Sequence, residues 1–225
     1  MWCVGELNDE YLEKMEDILA LYEKPYHVGE PVLCLDEKPV SLRQEVRSVL
    51  AAAPGQIAKR DSEYKRCGTA NVFCSVEPKA GRHFTWPTPN RSAREFAKII
   101  GALVRGYPLV QTIHLVMDNL NIHCRKSVTD YYGEQRGSSV WNRLTVHYTP
   151  KHGSWLNQAE IEIGLFSRQC LGTRRIPHLT LLRREARAWN CRTNRAQTKI
   201  NWQFTRAKAR KKFDYTKNSF KRSKN

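Results

Sequence analysis

Pro31-Val-Leu-Cys-Leu-Asp36 is a short apolar run that ends on a carboxylate, and Thr112-Ile-His-Leu-Val-Met-Asp118 repeats the pattern further along the chain. Neither run alternates apolar with polar residues, so each reads as a strand buried on both faces. Between them lie two more strand candidates, Ala70–Val76 and His83–Thr88, separated by Pro78 and Gly81 as in a hairpin. A helix is expected over 92–104, with Ser92 as N-cap, Glu95 three residues on, and Phe96, Ile99, Ile100 and Leu103 on one face. After Asp118 come a short helix over 127–134, a strand over 144–148 and a helix over 154–171. The last carries Trp155, Ala159, Ile163, Phe166 and Cys170 on one stripe. An arginine-rich helix follows from Leu179 to about Arg195, and an amphipathic helix over 9–22 precedes everything. Residues 51–68, rich in Gly, Pro and charge, read as an irregular connection. This order predicts an α/β fold, a mixed sheet with helices on both faces.

The 225 residues suffice for one well-filled core, and 40% hydrophobic with 27% charged residues excludes wholesale disorder. No run of 18 apolar residues exists, so no membrane span is expected, and the acidic start lacks the features of a secretory signal. Seven cysteines at irregular spacing, with no C-x-x-C pair, read as free thiols in a reducing cytosol. Nucleophile-elbow, phosphate-loop, dinucleotide-binding and His-Glu-x-x-His motifs are all missing from the sequence.

The net charge of +16 is unevenly spread. Residues 1–170 hold 21 Lys and Arg against 20 Asp and Glu, whereas residues 171–225 hold 17 against two. A cationic last quarter points to a polyanion partner, most simply nucleic acid. Its arginines cluster at Arg174-Arg175, at Arg183, Arg184 and Arg187, and at Arg192 and Arg195, followed by Arg206, Lys208, Arg210, Lys211 and Lys212. The expected division is a domain over 1–195 and a basic C-terminal extension over 196–225, helical in part and disordered from about Asp214.

Asp36 and Asp118 each close a buried strand, the end at which open α/β sheets place ligands. A carboxylate there is costly unless paired or metal-bound. If the two strands are neighbours, both acids converge on one edge as a hard oxygen site suited to Mg2+. Glu160 and Glu162 are candidates for a third acid. They stand about 200° apart on a helix, so only one can face the site, and periodicity does not choose between them.

Cys34-Leu-Asp36-Glu-Lys-Pro39, Gly68-Thr-Ala-Asn71, Asp118-Asn-Leu-Asn-Ile-His123 and Tyr148-Thr-Pro-Lys-His-Gly-Ser-Trp-Leu-Asn-Gln-Ala-Glu160 together resemble the catalytic domain of mariner-related bacterial insertion-sequence transposases. The resemblance runs from Trp2 to about Lys212. It implies an RNase H-like fold and a triad of Asp36, Asp118 and Glu160 holding two Mg2+ ions, or Mn2+ in their place. The implied activity is cleavage and transfer of DNA strands at element ends, by a homodimer assembled on transposon-end and target DNA in the cytoplasm, at the nucleoid. Where the family often has Asn-Pro-x-Glu, this chain has Asn157-Gln158-Ala159-Glu160. His123 is a candidate for orienting Asp118 or touching the scissile phosphate, and Lys151 and His152 for holding a phosphate. Arg183, Arg184, Arg187, Lys211 and Lys212 are candidates for gripping the DNA backbone. Because family members usually carry a helix-turn-helix region ahead of this domain, the alternative is a truncated DNA-binding regulator without transposition activity of its own.

Overall fold

Asn8 caps the first helix, accepting a hydrogen bond from Tyr11 N at 2.8 Å, and α1 (Asp9–Glu23) buries Tyr11, Leu12, Met15, Ile18, Leu19 and Tyr22 on one side. A computed structural model describes residues 7–216 of the chain. Five strands follow the order β3-β2-β1-β4-β5, with β1 (Val32–Glu45), β2 (Tyr64–Glu77), β3 (Arg82–Thr88), β4 (Ile113–Met117) and β5 (Leu144–Tyr148). β1 pairs antiparallel with β2 and parallel with β4, which pairs parallel with β5. This is the RNase H-like mixed sheet of the sequence reading.

Side chains alternate across the sheet, as strand geometry requires. Leu33, Leu35, Phe73, Leu115 and Met117 face a layer of α2 (Ala93–Gly106), α3 (Arg125–Tyr132) and α4 (Glu134–Trp141). Cys34, Val76 and Val116 face α1, while Val72 and Cys74 face α5 (Ala159–Phe166) and α6 (Leu179–Ala196). Both central strands are therefore covered on both sides, which is why they read as continuous apolar runs.

Three boundaries differ from the sequence reading. β1 does not stop at Asp36. Its parallel partner is lost after Cys34↔Val116, but its antiparallel ladder with β2 runs on to Glu45↔Tyr64. The outer parts of this hairpin are largely exposed, so Tyr64–Gly68 carries no burial signal and resembled a loop. The helix over 154–171 is broken into a 3-10 turn (Ser154–Leu156), α5 from Ala159, and a π turn over Ser167–Leu171. Asn157 causes the break, its Oδ1 accepting from Ala159 N at 3.1 Å and starting α5 there. Beyond α3, Gly133 takes φ +83° and α4 begins. Gly137 lets the two helices touch, since a Cβ there would lie 2.5 Å from Thr129 Cα.

The stretch expected as a basic extension is built into the α1 layer. Trp202 meets Tyr22 edge-on at 5.5 Å, and Phe204 meets Trp155 at 5.3 Å. In α7 (Arg206–Phe213), Arg210 grips Glu16 through two nitrogens at 2.8 and 2.6 Å, and Arg206 reaches Glu23 at 2.7 Å. Two arginines placed among the polyanion-binding charges thus hold α7 to α1. The expected disorder from Asp214 falls mainly on residues 217–225, and one of the seven cysteines, Cys3, is at the other end; both lie outside the described residues. The six described cysteines are free, and no helix among the described residues is long and apolar enough to cross a membrane.

Burial raises the Glu16 carboxyl, but the hydrogen bonds from Arg210 and Tyr215 and the charges of Arg210 and Arg206 outweigh it and leave the pKa below the usual glutamate value. A lowered folded-state pKa stabilises above the ordinary value and loses that stability as pH falls through the lowered one. Wild-type stability is therefore expected to decline on acidification below about pH 4.3. Glu16→Gln is expected to cost about 1–2 kcal/mol at pH 7 and to flatten that acid decline, read by urea denaturation across pH.

Candidate active site

Asp36 sits just past the last β1–β4 pair, where one side of the strand opens, and Asp118 follows the last residue of β4. The topology thus brings both aspartates to one sheet edge. Asp36 Oδ1 accepts from Glu37 N at 2.7 Å. Asp118 Oδ1 accepts from Leu120 N at 3.3 Å and stands 2.6 Å from His123 Nδ1. The other carboxylate oxygen of each accepts no hydrogen bond among the described residues.

Burial, followed by the charges of Glu37, Asp118 and Glu160, drives the Asp36 carboxyl up to about 7, against the pull of the Glu37 amide. Three other acids therefore bear on Asp36. The hydrogen bond and charge of His123 outweigh burial at Asp118 and hold it low, with help from the Leu120 amide and the Arg91 charge. A hard oxygen donor set carrying uncompensated negative charge fits a divalent cation. Among the described residues, however, no three His, Cys, Asp or Glu side chains close into a group tight enough to hold an ion.

His123 is fully buried between two acids. Its Nε2 stands 2.6 Å from Glu37 Oε1, and its Nδ1 lies 3.1 Å from the Asp118 backbone oxygen as well as near Oδ1. Burial opposes its charge, but Asp118 and Glu37 lift its pKa to about 10, so the imidazole is protonated at neutral pH and both nitrogens donate. This location suits orientation of Asp118, and the buried ring does not face an incoming phosphate.

The two glutamates of α5 part company. Glu160 is exposed, on the side where its charge bears on Asp36. Glu162 is fully buried on the far side, with Oε2 2.7 Å from His83 Nδ1. Burial opposes protonation of His83, but Glu162 and the Thr198 carbonyl raise its pKa, while burial raises the Glu162 carboxyl against the pull of His83. Asn157, 1% exposed, donates from Nδ2 to Leu35 O at 2.8 Å and so pins the start of α5 beside Asp36. Tyr22 adds a second tie, donating to Leu156 O at 2.7 Å.

A cleft of about 710 Å3 opens beside Asp118, lined among others by Asn119, Tyr11, Lys14, Lys151 and His152. Lys151 and His152 are exposed there, next to the candidate catalytic acid. On α6, Leu182, Ala186, Trp189 and Thr193 point inward and Arg183, Arg184 and Arg187 are exposed, Arg183 donating from Nε to Pro87 O at 3.2 Å and Arg184 lying 3.4 Å from Glu185. Lys211 is exposed, and Lys212 lies over the rings of Phe204 and Phe213. Arg174 and Arg175 are committed elsewhere. Arg174 bonds Glu185 at 2.7 Å, and Arg175 bonds Glu45 at 2.6 Å together with the carbonyls of Asp61, Ser62 and Glu63, clasping the loop between β1 and β2. Sequence reasoning missed Glu37, Arg91, Lys14 and His83 as members of this neighbourhood. Only Glu37, adjacent to Asp36, carried any signal, and its partner is 86 residues away.

A family model described as DDE superfamily endonuclease matches residues 31–183. Comparison with curated proteins returns no match. Among solved structures, the fold is similar to the Mos1 transposase paired-end complex with left transposon end (16% identity, TM-score 0.54). It is also similar to the Mos1 mariner paired-end complex with Mn (16%, 0.55) and to the Mos1 strand transfer complex (14%, 0.55). Each match covers 88% of this chain but only 61–62% of the other, so this chain spans about three-fifths of the length of those proteins. At such identities the likeness shows the fold.

Removing His83 leaves the buried Glu162 carboxyl without its side-chain partner. His83→Ala is expected to cost about 3–5 kcal/mol in chemical denaturation, whereas Glu162→Gln, which retains an acceptor for His83, costs markedly less.

Proposed function

The chain belongs to the DDE superfamily endonucleases, and on that premise we propose that it is a transposase catalytic domain that cleaves DNA strands at insertion-sequence ends and transfers them to target DNA. The observation that carries this reading is Asp36, a half-buried carboxyl on the central strand just past its last pair with β4, with Asp118 at the end of β4 and Glu160 of α5 both bearing on its charge. Asp36, Asp118 and Glu160 would hold two Mg2+ ions, or Mn2+ in their place, which when bound stabilise charge on the attacking and leaving oxygens of an in-line phosphoryl displacement. Solved Mos1 mariner complexes carry Mn and Mg by name, which supports divalent metal use. Asn157 holds the helix bearing Glu160 against β1, and the backbone amides of Glu37 and Leu120 each fix one carboxylate oxygen. Lys151 and His152, across the cleft from Lys14, would hold a phosphate of the reacting strand. Arg183, Arg184 and Arg187, with Lys211 and Lys212, would bind flanking DNA through phosphates. A folded helix presents the arginines without an ordering cost at binding. Two copies assembled on paired ends would supply the two active sites that joining requires.

In a nicking assay on transposon-end DNA with Mg2+ or Mn2+, Asp36→Asn, Asp118→Asn and Glu160→Gln are each expected to lose more than about a hundredfold in rate, since each removes several kcal/mol of charge stabilisation. Glu162→Gln is expected to retain most of the activity. Full activity in Asp36→Asn would sink the metal assignment. A dead Glu162→Gln that is still folded would move the third acid to that position.

DNA affinity is expected to fall with salt at about −0.9 in log–log slope per neutralised phosphate, roughly −5 for six contacts. Replacing Arg183, Arg184 and Arg187 together with alanine should flatten that slope and weaken binding evenly across sequences. A fluorescence-anisotropy titration reads both, and an unchanged affinity in the triple variant would assign the charge another role.

A further inference from the structure

β1 and β4 run parallel only as far as Cys34↔Val116. Past that pair the ladder stops, yet Asp36 on one strand and Asp118 after the other must keep a fixed separation if they are to act together. What spans the opening is a side chain. His123 reaches Glu37 on β1 with Nε2 and Asp118 with Nδ1, each at 2.6 Å. The ring lies 4.8 Å from Phe96 of α2, its amide donates to Leu120 O at 2.8 Å, and its carbonyl accepts from Tyr148 of β5 at 2.6 Å. Phe96 and Glu37 therefore hold the imidazole, Leu120 and Tyr148 hold its backbone, and the imidazole holds Asp118.

We propose that His123 is a positioning residue that fixes which oxygen of Asp118 is presented to a bound cation, and that Glu37 serves the site only through His123. The inference rests on the metal reading above. Strand alternation sends Asp36 and Glu37 to opposite faces, so Glu37 lies on the α2 side with His123 and spends its Oε1 there. Asp118 Oδ1 is taken by His123 and the Leu120 amide, which leaves Oδ2 as the free donor on a half-exposed carboxylate. Partners of this kind behind a ligand commonly set metal affinity by 10–100-fold.

The test uses the full chain with MnCl2 as probe, free Mn2+ being counted by electron paramagnetic resonance. Amide hydrogen exchange at Leu120 is read in the same proteins without metal. His123→Gln is expected to weaken Mn2+ binding about 10–100-fold and to speed Leu120 exchange about tenfold or more. Glu37→Gln, which keeps an acceptor oxygen, is expected to lose less, roughly two- to tenfold. The double variant is expected to be no worse than His123→Gln, because Glu37 acts through the histidine. Wild-type Mn2+ affinity in His123→Gln, or losses that simply multiply in the double variant, would overturn the proposal. If wild-type protein binds no Mn2+, the metal reading fails by itself, and Leu120 exchange still decides the strut: no change in His123→Gln overturns it. Where His123→Gln does not fold, Glu37→Gln carries both measurements, and an unaltered result in each overturns the assignment.

Discussion

Asp36 lies half-buried in the middle of the sheet, with three other acids bearing on it and only one backbone amide to donate to it. A charge in that position is tolerable only where the surrounding groups either neutralise it or await something that will. The strand order follows from the same need. Because β1 is antiparallel to β2 and parallel to β4, it continues past the point where β4 ends, and the side chain at that point has an open flank. An all-parallel sheet would have ended β1 there, and an all-antiparallel one would have covered it.

The remaining buried polar groups sort by whether they serve that opening or shield it. Asn157 and Tyr22 fix the backbone immediately before α5, so the helix enters beside Asp36 at a set height. The His83–Glu162 pair holds the other side of α5 against β3 and the segment after α6, with His83 Nε2 at 3.0 Å from Thr198 O. The rotational setting of α5 is thus held by the buried His83–Glu162 contact on one side and the Asn157 side-chain amide on the other. Glu160 is left on the remaining face by exclusion. Buried polar pairs of this kind select an arrangement, since a rotated helix would leave the Glu162 carboxyl buried without its partner.

The cationic surface divides in a similar way. Much of the positive charge in the last quarter is consumed inside the molecule, in Arg175 clasping the β1–β2 loop and in Arg206 and Arg210 fastening α7 to α1. The arginines that stay in solvent line the outer face of α6, whose inner face is filled by Leu182, Ala186 and Trp189. Composition sees only total charge. Which cations face water depends on where the acids are, and Glu16, Glu23 and Glu45 come from elements far away in the sequence.

The two apolar runs ending in Asp36 and Asp118 were enough to determine the fold class, because a strand covered on both faces needs helices on both faces and leaves a distinctive uninterrupted pattern. Ser92 and the stripe of α2, the strand over 144–148 and the inward face of α6 were legible for the same reason: each is written in local periodicity. Which of Glu160 and Glu162 is buried was not, since helical spacing offers both sides of the stripe equally and the partner of Glu162, His83, lies 79 residues away. Nor was the break at Asn157, whose capping side chain is held by Leu35 O of a distant strand. The bridge from Glu37 through His123 to Asp118 was equally hidden. Periodicity reports burial, which is a property of one residue and its near neighbours. Orientation and pairing of buried charges are properties of two surfaces brought together, so only the packed tertiary structure could settle them.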